Sequence, residues 1–372
     1  MLLPAPAEPH AHLDKAHTWD LLDPPIGGID AIFSRPWPAE RWAAIRTPHA
    51  MRERAMRQLD AMLRHGTTAV RTHVDIPPAG GDPLLGVRVL CALRDELAGV
   101  IDLQLVALFG PTVPDAVIER AVELGLDLIG GAPHTTPDPT REVERLVALA
   151  DRLGLGLDLH MDERLEGRES LSALADATRE WPASRARAAS HSVLLGTLPA
   201  DEQAAITSRL AASRVDVITL PGTNLYLQDW DGDPRRRGLP PLHLLLDNGV
   251  RVAGGGDNVR DPFNPLGRAD PFETASLLVL AGHLTPADAW YAVSTGARAV
   301  LGLEANSIEP GSVADLVLVP GTSLGDALAD ARTDRVVLHN GRVVAVTTSR
   351  SSSAIDGDAS GNTINRPPRG TP

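Results

Sequence analysis

Short apolar runs alternate with helix-spaced stretches along most of this chain, and no other feature constrains its fold as strongly. Residues 67–76 (TTAVRTHVDI), 102–109 (DLQLVALF), 126–129, 154–160 (GLGLDLH), 187–191, 215–220 (VDVITL) and 250–254 (VRVAG) each have strand length and are mostly apolar. Such runs fit strands buried on both faces. Helical spacing fills the gaps at 84–97, 114–124, 140–153, 170–181, 200–212 and 239–248, and continues at 270–281 and 286–301. With a first strand near residues 8–13, the count reaches eight strands alternating with helices. The expected fold class is therefore α/β: a (β/α)8 TIM-type barrel over residues 1–305. A doubly wound open sheet is the alternative, but no glycine-rich phosphate turn follows the first strand.

Two segments outside the repeat carry their own expectations. Residues 16–38 form a loop rich in Pro, Gly and Trp, and Trp19, Ile32, Phe33 and Trp37 give it the anchors of an ordered flap. Residues 39–65 then read as one helix, with Gly66 at its C-terminal cap. Past the barrel, 308–319 and 335–344 read as strands, with Asn340-Gly341 as a hairpin turn. This is a small appended β unit, residues 306–346. Residues 347–372 are Ser-, Gly-, Pro- and Asp-rich and are expected to be a disordered tail.

Charge and cysteine content exclude whole classes of function. A net charge of −13 and a pI near 5.4 leave no basic stripe for phosphates. The one basic cluster, residues 235–237, reads as a solvated loop or a substrate-side contact. A single cysteine, Cys91, rules out an intrachain disulfide framework and a cysteine-rich zinc site. It falls in a helical pattern and reads as core. No signal-like segment or long uncharged apolar run is seen, so the expectation is a soluble cytoplasmic protein with no membrane or nucleic-acid partner. Arginine carries all positive side-chain charge except at Lys15, the only lysine.

The polar residues that close the apolar runs point to chemistry. Glu8-Pro9-His10-Ala11-His12-Leu13-Asp14-Lys15 comes almost at once, and residues two apart on a strand share a face. His160 ends one run and Glu163 follows three residues later. His191 ends another, and Asp257 follows a third in Gly254-Gly255-Gly256-Asp257-Asn258. Parallel barrels place their active residues at such strand ends.

HxHLDK at the first strand, RTHVD at the second, HxxE at the fifth, SH at the sixth, TLPGTNLYLQ at the seventh and GDNVRDP at the eighth together resemble the amidohydrolase superfamily, and within it the cytosine deaminase-like family. The resemblance spans about residues 10–305. It implies one divalent metal ion, zinc or ferrous iron, held by His10, His12, His160 and Asp257 with an open position for water. Three imidazoles and a carboxylate suit either ion, which would bring the pKa of bound water down to roughly 7. Glu163 is implied as proton shuttle, His191 as the group that polarises and holds developing charge, and Asp257 as first acceptor of the water's proton. His73 and Asp75 are expected to orient the metal site from behind. The two-metal members bridge their ions with a lysine at the fourth strand. Here that strand ends near His134, so one metal is expected. Lys15 reads as an ion-pair partner, of Asp14 for instance, or as a substrate contact. The family's terminal β-sandwich looks incomplete here, with only residues 1–7 preceding the first barrel strand.

The implied reaction is deamination of a small nitrogen heterocycle, cytosine-like or a cyclic amidine, by metal-activated hydroxide through a tetrahedral intermediate. The family's cytosine deaminases read the pyrimidine edge with a glutamine after the third strand, where this chain has Gly110. A second acid usually follows the eighth-strand aspartate, where it has Asn258. Phe109 and Phe263, with the flap, favour a flat, partly apolar substrate; His134 reads as pocket lining or core, and Asn224 and Gln228 as pocket lining or as holding the loop after the seventh strand. Hydrolysis of a cyclic amide or an N-substituted amine on the same site is an alternative. A barrel that only binds metal or ligand is another. Homo-oligomerisation stays open.

Overall fold

The computed structural model describes residues 1–34, 36–236 and 238–349, so most of the tail expected from residue 347 lies outside the described residues. β1 (Leu2–Pro4) joins strands from the far end of the chain. β2 (Ala7–Ala11), β3 (Ala69–Asp75), β4 (Asp102–Leu108), β5 (Leu128–Ile129), β6 (Gly156–Met161), β7 (Arg187–His191), β8 (Asp216–Thr219) and β9 (Val252–Gly254) pair in parallel, each with the next in sequence. Parallel neighbours require a crossover, and the helices between them supply it. Every residue of β2, β6, β7 and β8 is buried, which is why these runs do not alternate between apolar and solvent-facing polar residues, and their polar members such as Glu8, His10, Asp158 and Ser190 are buried with the rest.

The helix Pro139–Leu153 shows how the sequence sets an outer layer. Asp138 accepts a hydrogen bond from Arg141 N at its start, Pro139 sits in the first turn, and Gly154 at φ 70° ends it. Its Val143, Leu146, Val147 and Ala150 face the core, and each fully buried Leu or Val is worth roughly 1.5–3 kcal/mol. β5 is only two residues long because Gly130 follows. A Cβ there would stand 2.4 Å from Ala107 O, so the chain passes too close to β4 for any side chain. A short turn, Pro133–Thr135, then carries His134 toward the barrel mouth.

The ring closes between β2 and β9. Ala11 bridges Asp257, Asp257 N donates to His10 O at 3.1 Å, and the Glu8 carboxylate accepts from His10 N at 3.1 Å and Gly256 N at 2.8 Å. The glycines before Asp257 are needed here, since a Cβ on Gly255 would lie 2.5 Å from Glu8 Oε1.

A second sheet of four antiparallel strands runs in the order β1, β10 (Leu316–Leu318), β11 (Arg335–His339), β12 (Arg342–Thr347). Asn340 and Gly341, at φ 49° and 76°, form the expected two-residue turn. The first residues supply β1 to this sheet, and of the expected strand 308–319 only Leu316–Leu318 pairs. Buried ion pairs tie it to the barrel: Arg335 with Asp270 at 2.8 Å and Arg298 with Asp315 at 2.7 Å.

Residues 39–65 are two helices rather than one, Ala39–Ile45 and Pro48–Arg64. Pro48 has no N–H to continue the first, and Thr47 caps the second by accepting from Ala50 N. The flap before them is ordered into Trp19–Leu22 and Ile29–Phe33. Cys91 is buried in the helix Leu85–Glu96. Among the described residues, no helix is long and apolar enough to cross a membrane.

Candidate active site

The C-terminal ends of the barrel strands bring His10, His12, His160, His191 and Asp257 together. All five are buried. His12 Nε2 stands 3.3 Å from His160 Nε2 and 3.3 Å from Asp257 Oδ1, and His10 Nε2 stands 3.7 Å from the same oxygen. A tetrahedral ion with bonds of about 2.0–2.1 Å separates its ligands by roughly 3.3 Å. His10 Nε2 and both Asp257 oxygens have no hydrogen-bond partner, although buried polar atoms nearly always have one. Burial, reinforced by neighbouring imidazoles and for His12 also by Lys15, pushes His10, His12 and His160 well below the usual histidine range. The three rings are therefore neutral, with lone pairs to offer. This donor set fits a divalent cation.

His191 and Asp257 sit at φ 68° and 58°, a left-handed backbone that costs a non-glycine residue about 1–3 kcal/mol.

A buried chain of hydrogen bonds fixes the His10 ring. Ser190 donates to Asp158 Oδ1 at 2.8 Å, so its oxygen accepts from His10 Nδ1 at 2.9 Å. His10 Nε2 then keeps its lone pair toward Asp257. Arg71 donates to the other Asp158 oxygen at 2.7 Å and to Val300 O at 2.8 Å. His73 stacks against His10 with ring centroids 4.0 Å apart and places Nε2 3.6 Å from Asp158 Oδ1. The sequence reading anticipated His73 beside the cluster but missed Arg71, Asp158 and Ser190. Their signal was polarity inside runs that are otherwise buried and apolar.

Glu163 lies over this cluster between two imidazoles. His134 Nδ1 donates to His160 O at 3.1 Å, which leaves His134 Nε2 as an acceptor 3.3 Å from Glu163 Oε2. Burial, and then the charge of Asp257, push Glu163 up to about 8, while burial holds His134 down at about 4. A protonated Glu163 facing a neutral His134 is the consistent pairing. His191 Nδ1 lies 3.6 Å from Glu163 Oε1 and 3.0 Å from Asn224 Nδ2. With the Asn224 amide donating, the His191 ring proton sits on Nε2, and burial holds this ring neutral, down at about 3. Gln228 donates to Glu163 O at 2.5 Å.

The cluster opens into a cavity of about 330 Å³. Phe109, Gly110, His134, Asn258 and Phe263 all line it, as do the apolar side chains of Leu22, Ile29, Phe33, Trp37 and Trp42 at its mouth, while Asn224 and Gln228 do not line it. Asp261 organises the far wall, accepting from Asn258 Nδ2 at 2.7 Å and Phe263 N at 2.9 Å. Lys15 and Asp75 line the cavity too and pair with each other at 3.6 Å. The expected Lys15–Asp14 pair is absent because Asp14 Oδ2 instead accepts from Asp75 N, and Asp75 faces the pocket rather than the metal cluster's rear.

Known proteins match this chain over most of its length. Residues 87–345 match the sequence model of the amidohydrolase family. A pterin deaminase of Rhizobium rhizogenes (strain K84) is 33% identical over 360 residues, covering 92% of this chain and 80% of that protein. N-isopropylammelide isopropyl amidohydrolase of Pseudomonas sp. (strain ADP) is 25% identical over 367 residues, 92% of this chain and 86% of that one. The crystal structure of 5-methylcytosine deaminase from Klebsiella pneumoniae with 5-fluorocytosine superposes with a TM-score of 0.83 at 26% identity, covering 95% of this chain and 88% of that one. With over half its length matched by the family's sequence model and a relative one-third identical along nearly all of it, this chain belongs to the amidohydrolase family.

Proposed function

We propose that this protein hydrolyses the bond between a ring carbon and an exocyclic amine on a flat nitrogen heterocycle, releasing ammonia. The observation that carries the reading is the buried Glu163 carboxyl, held between His134 and His191 beside three imidazoles and a carboxylate at the floor of an apolar cavity. The pterin deaminase and 5-methylcytosine deaminase relatives act, by name, on rings of this kind.

His10, His12 and His160 would hold a zinc or ferrous ion through Nε2, and Asp257 through a carboxylate oxygen. When bound, such an ion lowers the pKa of a coordinated water from about 15.7 toward about 7. The remaining work falls to the protein. Asp257 takes up the proton that water loses as its oxygen joins the ring carbon. His191 Nε2–H donates to the charge that develops there. Glu163 Oε2 gives its proton to the departing nitrogen, whose bond to carbon breaks to release ammonia; the proton of the added hydroxyl passes to the adjacent ring nitrogen as the ring carbon becomes a carbonyl, and the proton held by Asp257 restores Glu163. Phe109 and Phe263 supply apolar faces for the ring.

A second reading follows from the mouth. Leu22, Ile29, Trp37 and Trp42 can hold an alkyl group, and the relative named for an N-isopropyl substrate removes an alkylamine. Both are tested by following ammonia and alkylamine release from pterin, cytosine, isocytosine, creatinine, aminotriazines and their N-alkyl forms, with metal-loaded protein and Glu163→Gln as control. Ammonia from one ring, lost in Glu163→Gln while metal stays bound, is the expected result. Alkylamine release alone selects the second reading, and no release of either overturns both.

A further inference from the structure

The only lysine of the chain stands in the wall of this cavity. Lys15 Nζ lies 3.6 Å from Asp75 Oδ2 and 5.0 Å from the centre of the Phe263 ring. That distance to Asp75 exceeds a hydrogen bond, so the ammonium keeps N–H donors, and the carboxylate keeps lone pairs, for a third party. The pair is no ordinary surface contact: the side chains are 17% and 28% exposed and both line the cavity. Their backbones are pinned from behind. Asp14 Oδ2 accepts from Asp75 N at 2.9 Å, and Asp14 O accepts from Arg54 Nη2 at 2.9 Å. Around them stand Ile76, Pro77, Phe109, Pro262 and Phe263. Asp14, Asp261 and Asp257 also lie near enough to act on Lys15, but a buried charge pair still carries a desolvation cost, which a polar ligand edge offsets.

An ammonium only donates hydrogen bonds and a carboxylate only accepts them. Side by side, they match a ring edge that offers an acceptor next to a donor, and the Phe263 face beside them suits a stacked ring. We propose that Lys15 and Asp75 are specificity-determining residues that read a lactam edge of the substrate ring, Lys15 donating to the carbonyl oxygen and Asp75 accepting from the adjacent ring N–H. This rests on the heterocycle reading above and narrows it to amino-substituted rings that carry a C(=O)–N(H) unit, pterin among them. Rings alkylated on that nitrogen leave Asp75 without a ligand partner, rings without the oxo group leave both charges without one, and both kinds are rejected.

The test is binding, not turnover, in zinc-loaded Glu163→Gln protein titrated by pterin fluorescence. The competitors are 2-aminopteridine, which lacks the oxo group and with it the ring N–H, and 3-methylpterin, which lacks only the N–H. The parent should prefer pterin over each by at least about tenfold. Lys15→Met and Asp75→Ala should each shrink the preference over 2-aminopteridine, Asp75→Ala should abolish the preference over 3-methylpterin while Lys15→Met keeps it, and Lys15→Arg should keep both. Protein without substitutions at either site gives a second readout, because an amine-acylating reagent has one side-chain target. Pterin should slow acylation of Lys15, read by mass spectrometry of its peptide, and equal occupancy by 2-aminopteridine should not. A parent-like preference over 2-aminopteridine in Lys15→Met, no preference or no pterin binding in the parent, or acylation indifferent to pterin each overturn the proposal. Intact preferences without ammonia release sink the deaminase reading alone, whereas pterin turnover with Lys15 acylation unaffected sinks the edge-reading alone.

Discussion

Ser190 accepts the Nδ1 proton of His10 at 2.9 Å only because its own proton is committed to Asp158 at 2.8 Å. One hydroxyl thereby decides which His10 nitrogen faces the metal position. Outer hydrogen bonds of this type typically contribute about 10–100-fold in metal affinity. Ser190→Ala should therefore weaken zinc binding by about that factor, measured by competition with a chromophoric chelator. Ser190 is wholly buried and small, so the fold should survive the change. Parent-like affinity would mean that His73 and the backbone already hold the ring.

His134 has a role that its position alone did not announce. Its Nδ1 is spent on His160 O, so its Nε2 is the acceptor that faces the Glu163 carboxyl. His134→Leu removes that acceptor and should lower kcat by on the order of 10²-fold, within the range of a mispositioned general acid, with metal content unchanged. In the Glu163→Gln background the same substitution should cost little more, because the two act as one unit. Additive losses would separate them.

How much of this was legible in sequence depended on where each polar residue fell. His10, His12, His160 and Asp257 stood out because ligand-type side chains at the ends of apolar runs have few other reasons to be there. Arg71, Asp158 and Ser190 hid inside such runs, where one polar letter reads as noise until its partners across strands are known. Lys15 was visible as the lone lysine, but its partner Asp75 lies 60 residues away on the neighbouring strand, and sequence proximity favoured Asp14. The eight-strand barrel followed from periodicity. The break at Pro48 was signalled by Thr47-Pro48, yet the helical spacing on both sides masked it. The left-handed backbone at His191 and Asp257 had no signal, since strain is imposed by tertiary context.

The barrel seam makes a separate prediction. Glu8 accepts one backbone N–H on each oxygen, from His10 and from Gly256. Glu8→Gln turns one oxygen into an NH₂ facing an N–H donor, so a buried donor loses its acceptor at a cost of about 1–3 kcal/mol. Urea unfolding of metal-free protein should show that loss. The zinc-loaded form should lose more, because the same hydrogen bonds set the register of His10 against Asp257. An unchanged midpoint in both forms would mean that the seam closes without this carboxylate.

His339 gives the fold a pH dependence away from the active site. It sits on β11 with Nε2 3.6 Å from Asp102 at the start of β4 and Nδ1 3.1 Å from Asp315, so it joins the small sheet to the barrel. The Asp102 contact first, and then Asp315, raise it to about 9 against burial. A histidine whose folded pKa exceeds its unfolded value, about 6.5, binds its proton more tightly when folded. Its contribution is complete below about pH 6.5 and is lost as pH rises through 9. The difference in unfolding free energy between the parent and His339→Gln should be largest at pH 6, shrink steadily above pH 6.5 and level off near pH 10. Asp315 also holds Arg298 at 2.7 Å, a link between sheet and barrel that His339→Gln leaves in place. A parent–variant difference that stays constant from pH 6 to 10 would show that His339 joins the two sheets through packing, not through its charge.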